Sequence, residues 1–401
     1  MGELTSTERD ITERAAAEPM LDEVLAWAAV NSGSRNLGGL ERMAELLADA
    51  FAALPGVLRL ENPAPVDTVD AAGKTVNIQH GRHLHLTVRP TAPVQLLFTG
   101  HMDTVFGADH TLQETQWLED GVLNGPGVAD MKGGLAVMLA ALKAVEKSRG
   151  AERIGYEVLI NSDEEVGSPA SAALLQQAAG GKRAALTYEP AALPDGTLAG
   201  ARPGSGNFSF VVRGKSAHAG RNPEEGRNAI VAASELALRL AMSKTPGLTI
   251  NPAKIDGGGP NNVVPDLAIL RVNMRPKTTD DQEIAARLIA KALDETARQH
   301  DVFIEAHGGF GRPPKPLNED AEALFNLVKR AGADLGQEIG WQPSGGVCDG
   351  NNIAACGVPV VDTMGVRGGK IHSTEEFLIV ESLGERAALS ALTVLRLAEG
   401  A

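Results

Sequence analysis

Leu96-Leu97-Phe98-Thr99-Gly100-His101-Met102-Asp103-Thr104 decides how this chain is organised. Residues 94–98 make an apolar run of the kind found in a strand covered on both faces, and Gly100 ends it. Residues two apart in an extended segment share a face, so His101 and Asp103 project together from the carboxyl end of that strand. Open α/β sheets place their ligand sites at this edge. Taken alone, the stretch is equally a plain strand end with a capping aspartate and a hydrogen-bonded histidine.

Elsewhere the same pattern recurs. The apolar run 154–160 ends in Asn161-Ser162-Asp163-Glu164-Glu165-Val166-Gly167-Ser168, and 184–188 ends in Glu189-Pro190. A third strand, 359–364, precedes His372. Each acid run has a bland reading, since adjacent carboxylates also serve as a solvated cap for a helix starting near Pro169. Asn124-Gly125-Pro126-Gly127-Val128-Ala129-Asp130-Met131-Lys132-Gly133-Gly134 leads into a helical run, 135–147. Its glycines match neither GxxxxGK[ST] nor GxGxxG, and Asp130 stands where an anion would sit, so this helix start suits a cation. Together the strand ends bring two imidazoles and several carboxylates to one sheet edge, the makings of a dinuclear metal site. His83 and His85 share a strand face, but no carboxylate or cysteine lies near them in sequence, and they are expected to be ordinary strand histidines.

Composition narrows the class. With 401 residues and 43% hydrophobic content the chain can bury a large core and suggests two domains. A net charge of -14 argues against nucleic-acid or anionic-membrane partners. Two cysteines, Cys348 and Cys356, are too few for a disulfide framework and read as reduced thiols. The opening stretch has no apolar core after a basic start, and no run of eighteen apolar residues occurs, so neither a signal peptide nor a membrane span is expected and a cytoplasmic location follows. Helical patterning covers 20–30 and 40–54, where Pro55-Gly56 breaks it.

In family order, His101-Met102-Asp103-Thr104-Val105, Gly127-Val128-Ala129-Asp130-Met131-Lys132-Gly133-Gly134, Asp163-Glu164-Glu165-Val166-Gly167-Ser168, Glu189-Pro190 and His372-Ser373 resemble the M20 metallopeptidases, nearest their glutamate carboxypeptidase branch. The resemblance implies that His101 and Glu189 hold one ion, Glu165 and His372 the other, and that Asp130 bridges both; sequence alone does not fix the pairing. Imidazole and carboxylate without thiolate suit two Zn2+, with Co2+ or Mn2+ as alternatives. Glu164, surplus to coordination, is the general base, and Asp103 orients His101.

A change of texture near Gly204 opens a β-α-β-β-α-β unit: strand 207–214, helix 228–243, strands 248–255 and 267–274, helix 282–298 and strand 301–306. That order is ferredoxin-like. The expected fold is therefore α/β, a zinc-peptidase-like catalytic domain with a mixed sheet in two segments, 1–203 and 315–401. An inserted α+β ferredoxin-like domain, 204–314, acts as lid and dimer contact in the family. Gly214-Lys215-Ser216-Ala217-His218-Ala219-Gly220 resembles the family motif whose histidine reaches across a homodimer to stabilise an oxyanion, with Asn262 as companion. Arg275 and Arg312 are candidates for pairing with a substrate carboxylate, and Gly345-Gly346 resembles a substrate-binding loop. Two departures bear on specificity: Cys348 replaces an expected small hydroxyl residue, and Arg367 adds a cation near His372. The implied activity is hydrolysis of peptidyl- or N-acyl-amino acids bearing a free α-carboxylate, with glutamate favoured as leaving group. The rivals are an N-deacylase of the acetylornithine or succinyl-diaminopimelate kind and a non-catalytic metal-binding dimeric scaffold.

Overall fold

A computed structural model describes residues 4–243 and 245–400. They form two compact units. The first runs to Ala64 and resumes over Gln79–Ala201 and from Pro316 onward; the second holds Pro65–Ile78 and Arg202–Lys315.

In the first unit six strands lie in the order Val57–Glu61, His83–Val88, Ile154–Asn161, Val94–His101, Ala184–Thr187, Val360–Val361. The first two run antiparallel to their neighbours and the last four are mutually parallel, so the sheet is mixed. Val94–His101 is interior to the sheet and every residue but Gln95 is buried, which is why its sequence is a run rather than an alternation. His101 lies opposite Asn161, and Thr99 opposite Thr187, so three parallel strands finish almost level. The residues just past those ends are the ones carrying chemistry.

Behind the sheet, helix Gly133–Val145 is buried all round except at Lys143. An apolar circumference marks an interior helix, and it packs with Ser6–Ala16, Met20–Ala28 and Glu381–Glu399. Its first turn needs glycine at 134, because a Cβ there would lie 2.0 Å from the Tyr188 carbonyl oxygen. That contact seats the helix start against the strand exit leading to Glu189.

The second unit contains Ser205–Arg213, Ala229–Met242, Leu248–Gly257, Leu267–Pro276, Thr279–His300 and Phe303–Arg312 in the expected β-α-β-β-α-β order. Its antiparallel sheet is ordered Leu248–Gly257, Leu267–Pro276, Ser205–Arg213, Phe303–Arg312, the ferredoxin-like arrangement. Hairpin strands Val66–Val69 and Thr75–Ile78, early in the chain, belong to this unit: Val69 packs with Val211 and Ile269, and Arg271 donates to the Val69 carbonyl at 2.9 Å. No helix among the described residues is long and apolar enough to cross a membrane.

Candidate metal centre

His101 ends its strand with 1% exposure. Its Nδ1 lies 2.9 Å from the Asp103 carbonyl oxygen and 3.5 Å from Asp103 Oδ1. A carbonyl only accepts, so Nδ1–H donates to it, and Nε2 keeps its lone pair whenever the ring is neutral. Asp103 thus orients the ring chiefly through its backbone. Its carboxylate accepts from the Ser34 hydroxyl at 2.7 Å, the Glu164 N–H at 3.1 Å and the Glu165 N–H at 3.2 Å, gripping the turn that carries both glutamates.

Asp130 sits in the turn Val128–Lys132 ahead of the interior helix and is joined to Met131 by a cis peptide bond. One of its oxygens, Oδ1, lies 3.2 Å from His101 Nε2, and the other, Oδ2, lies 3.2 Å from His372 Nε2. Glu189 Oε2 is 3.7 Å from His101 Nε2, and Glu165 Oε2 is 3.1 Å from His372 Nε2. The structure therefore groups Glu189 with His101 and Glu165 with His372, on either side of Asp130. Glu164 joins the first group: donor atoms of His101, Glu164 and Glu189 lie within 4.8 Å of one another, as do those of His101, Asp130 and Glu165.

The acid run is not a solvated cap. Asp163 and Glu164 are buried, and the Glu165 side chain is only 6% exposed. Asp163 accepts from the Ala170 N–H and the Ser171 hydroxyl, both at 2.6 Å, while Asn161 donates to Asp349 Oδ2 at 2.6 Å and Ser168 donates to the same carboxylate. This buried network fixes the turn from behind. Glu376 fixes another loop, its Oε1 accepting from the N–H groups of Ala129 and Asp130. Neither role is visible in the sequence, since each joins segments far apart along the chain.

Charge crowding explains what the pocket would hold. Burial, reinforced by Asp130, pushes Glu165 up to about 7 and, despite His101, Glu189 up to about 8. Burial also opposes the charge on Asp130, yet the two imidazoles hold its carboxyl well below the usual range. His372 is pushed up to about 11 by Asp130 and Glu165; His101 rises despite its burial, driven by Glu189, Asp103 and Asp130. Two imidazoles face a larger number of carboxylates, and the buried Glu189 Oε1 has no hydrogen-bond partner among the described residues. Three carboxylates and two imidazoles without a thiol make a donor set that suits divalent cations.

Four candidates lie in the second unit. His218 and Asn262 come together where Ala217–His218 pairs with Val263–Val264, the Ala219 N–H donating to the Asn262 carbonyl at 3.0 Å, and both side chains are exposed. Arg275 and Arg312 belong to the separate four-stranded sheet, near the end where Ser205 pairs with Arg312 and Gly206 with Met274. Arg275 donates to Asn273 Oδ1 at 3.1 Å, and Arg312 is buried. Strand Ser205–Arg213 is nine residues long, and the segment with His218 follows its carboxyl end while Arg312 pairs at its amino end.

Gly345 and Gly346 occupy an exposed loop of the first unit ahead of helix Asp349–Ala354. Cys348 is buried, its Sγ 3.5 Å from Asp362 Oδ2. Arg367 is not an added cation for the pocket: it donates to the Pro194 carbonyl at 2.9 Å and pairs with Glu385 at 2.9 Å and Glu381 at 3.4 Å. For His85, strand pairing supplies the carboxylate absent locally, with Glu157 at 2.6 Å, and Lys182 shares that carboxylate at 2.6 Å.

The family model "Peptidase family M20/M25/M40" matches residues 97–396. Carboxypeptidase G2 of Pseudomonas sp. (strain RS-16) is 30% identical over 395 residues, covering 94% of this chain and 93% of that protein. Succinyl-diaminopimelate desuccinylase of Marinobacter nauticus is 27% identical over 331 residues, 77% of this chain and 85% of its own. Among solved structures, a tripeptidase from Staphylococcus aureus superposes with a TM-score of 0.72 at 24% identity, covering 97% of this chain and 99% of that one. A family model matched from the strand of His101 into the C-terminal helix, together with a relative 30% identical over nearly the whole chain, places this protein in the M20/M25/M40 peptidase family of metal-dependent hydrolases.

Proposed function

We propose that the protein hydrolyses the amide bond of peptidyl- or N-acyl-amino acids that carry a free α-carboxylate, in the manner of a glutamate carboxypeptidase, using two Zn2+ ions or Co2+ or Mn2+ in their place. The observation carrying this is Asp130 standing between two imidazoles, one oxygen to each, with Glu189 beside the first and Glu165 beside the second. His101, Glu189 and Asp130 would hold one cation; Glu165, His372 and Asp130 the other. Bound there, the cations supply Lewis acidity that lowers the pKa of water and polarises the scissile carbonyl.

Glu164 takes the proton of the attacking water and hands it to the leaving amine, its buried carboxylate offering an oxygen within 4.8 Å of the His101 and Glu189 donor atoms. Asp103 keeps Glu164 and Glu165 in register through their N–H groups and keeps His101 Nε2 turned inward. Gly345 and Gly346 let substrate backbone approach the edge.

His218 and Asn262 stabilise the oxyanion, and Arg275 and Arg312 bind the substrate carboxylate. In this reading the protein acts as a homodimer in which each copy lends His218 and Asn262 to its partner, as the resemblance of the Gly214–Gly220 stretch to the family motif implies. A surface suited to a second copy exists: Val231, Leu238 and Met242 are 50%, 58% and 75% exposed on one face of helix Ala229–Met242. That helix packs beside strand Leu248–Gly257, the edge strand of its sheet. Similarity to carboxypeptidase G2 favours a peptidyl- or acyl-glutamate substrate over the desuccinylase alternative.

The test compares hydrolysis of acyl-glutamates and dipeptides with that of N-acetyl and N-succinyl diamino acids, before and after chelation and readdition of metal. Metal-dependent preference for the first group supports the reading. Preference for the second replaces it with the deacylase, and equal turnover of α-carboxyl esters removes the arginine clamp.

A further inference from the structure

Two loops that each carry a metal-site residue leave the same end of one antiparallel strand pair. Val122–Asn124 and Phe377–Ile379 are paired with Phe377 opposite Asn124. The chain leaving Asn124 runs through Gly125 to Asp130, and the chain entering Phe377 comes from His372. Across this gap Glu376, 0% exposed, directs Oε1 to the N–H of Ala129 and the N–H of Asp130, each at 3.0 Å. In the reverse direction the Asn124 amide donates to the carbonyls of Glu376 at 2.6 Å and Thr374 at 3.1 Å. Asn124 is 1% exposed, and three of the four bonds are buried, the one to Thr374 partly so.

We infer that Glu376 and Asn124 are positioning residues that set the spacing between Asp130 and His372, and so the affinity of the cation held by Asp130, Glu165 and His372. This rests on the dinuclear reading given above. Two N–H donors converging on one carboxylate oxygen fix the Asp130 backbone along two directions, while the Asn124 amide fixes the carbonyls that follow His372. Backbone hydrogen bonds of this kind bound the motion of both loops with respect to one strand end. His372 needs such support because its side chain is 52% exposed and its backbone lies at φ 63°, so packing alone does not hold it. The other cation shares Asp130 but not His372, and its remaining ligands are fixed elsewhere: His101 on the Asp103 carbonyl, and Glu189 on the Gly365 N–H at 2.9 Å from its carbonyl oxygen. Loss of the clamp therefore acts unequally on the two ions.

The experiment strips the full-length protein of metal and titrates it with Co2+ against a competing chelator, following stoichiometry and the visible absorption of bound Co2+. Wild type takes two equivalents; fewer than two would remove the dinuclear reading itself, separately from the clamp. Glu376→Ala is expected to weaken one equivalent about 10–100-fold while the other stays within about threefold of wild type, the range typical of lost support behind metal ligands. Glu376→Gln keeps an acceptor oxygen at the same reach and is expected to restore most of the lost affinity. Asn124→Ala, which leaves the Glu376 carboxylate in place, is expected to weaken the same equivalent and provides the test should Glu376→Ala fail to fold. Two equivalents bound by the alanine variants with wild-type affinities would overturn the inference. So would equal weakening of both ions, which marks a general structural role, and so would a glutamine variant as impaired as alanine.

Discussion

Asp103→Asn is the most informative single change around the site. The carboxylate is wholly buried and accepts three hydrogen bonds, from Ser34, from the Glu164 N–H and from the Glu165 N–H. An asparagine keeps one oxygen and turns the other position into a donor. The two backbone N–H groups use different oxygens, Oδ1 and Oδ2, so whichever way the amide turns, one N–H faces an NH2 group. That loss costs one charge-assisted bond of about 1.5–3 kcal/mol and leaves a buried donor unpaired at about 1–3 kcal/mol, for a total of roughly 3–5 kcal/mol once the turn relaxes. The turn relaxes by moving Glu164 or Glu165, so metal affinity or turnover also falls about 10–100-fold. His101 keeps its orientation, because its bond goes to the backbone carbonyl, which the substitution leaves in place. The assay pairs urea denaturation of the metal-free protein with metal titration and steady-state kinetics. A variant within about 0.5 kcal/mol of wild type, with metal affinity and kcat unchanged, would refute the role given to this carboxylate.

Gly134→Ala is expected to destabilise by about 1–3 kcal/mol or more, because the added Cβ meets the Tyr188 carbonyl at 2.0 Å. Gly150→Ala, where a Cβ meets nothing within 4 Å, serves as its control in the same urea series, and equal midpoints would count against the packing argument. Arg396 pairs with Glu8 at 2.8 Å and Asp334 at 2.8 Å, tying together three helices; Arg396→Met should cost about 1–3 kcal/mol near neutral pH. Burial opposes the charge of Glu8, but bonds from Thr5 and Arg396 hold its pKa below the ordinary 4.5. A depressed folded value means the contribution is complete above about pH 4.5 and disappears as pH falls through the folded pKa, so the stability gap between wild type and Arg396→Met should narrow below about pH 4.5. A gap constant from pH 7 to 3.5, measured by urea midpoints, would contradict it.

What the sequence discloses and what it hides follow different physics. Parallel strands buried on both faces require uninterrupted apolar residues, so Leu96 to Phe98 and the run before Asn161 announce themselves, and the acids or histidines that end them stand out by contrast. The grouping around Asp130 depends on strands finishing level, a property of register, and only the order of motifs hints at it. Glu376 and the Asn161–Ser168–Asp349 network join segments far apart in sequence, and no local pattern encodes such contacts. Cross-strand pairing likewise supplied the carboxylate beside His85. Helix Ser6–Ala16 is half-hidden in the sequence: its polar surface masks the buried Ile11 and Ala15, and only the capping box of Thr5 and Glu8 marks its start. The hairpin formed by Val66–Val69 and Thr75–Ile78 joins the second unit through a few apolar contacts that no composition shift marks.

Turnover and metal content of Glu164→Gln, determined on the same preparation, test the central claim most directly. The account predicts two equivalents of divalent metal per chain, as in wild type, with kcat reduced about 10²–10⁴-fold, the usual contribution of a general acid–base group. Hydrolysis at the wild-type rate with both ions still bound would contradict it.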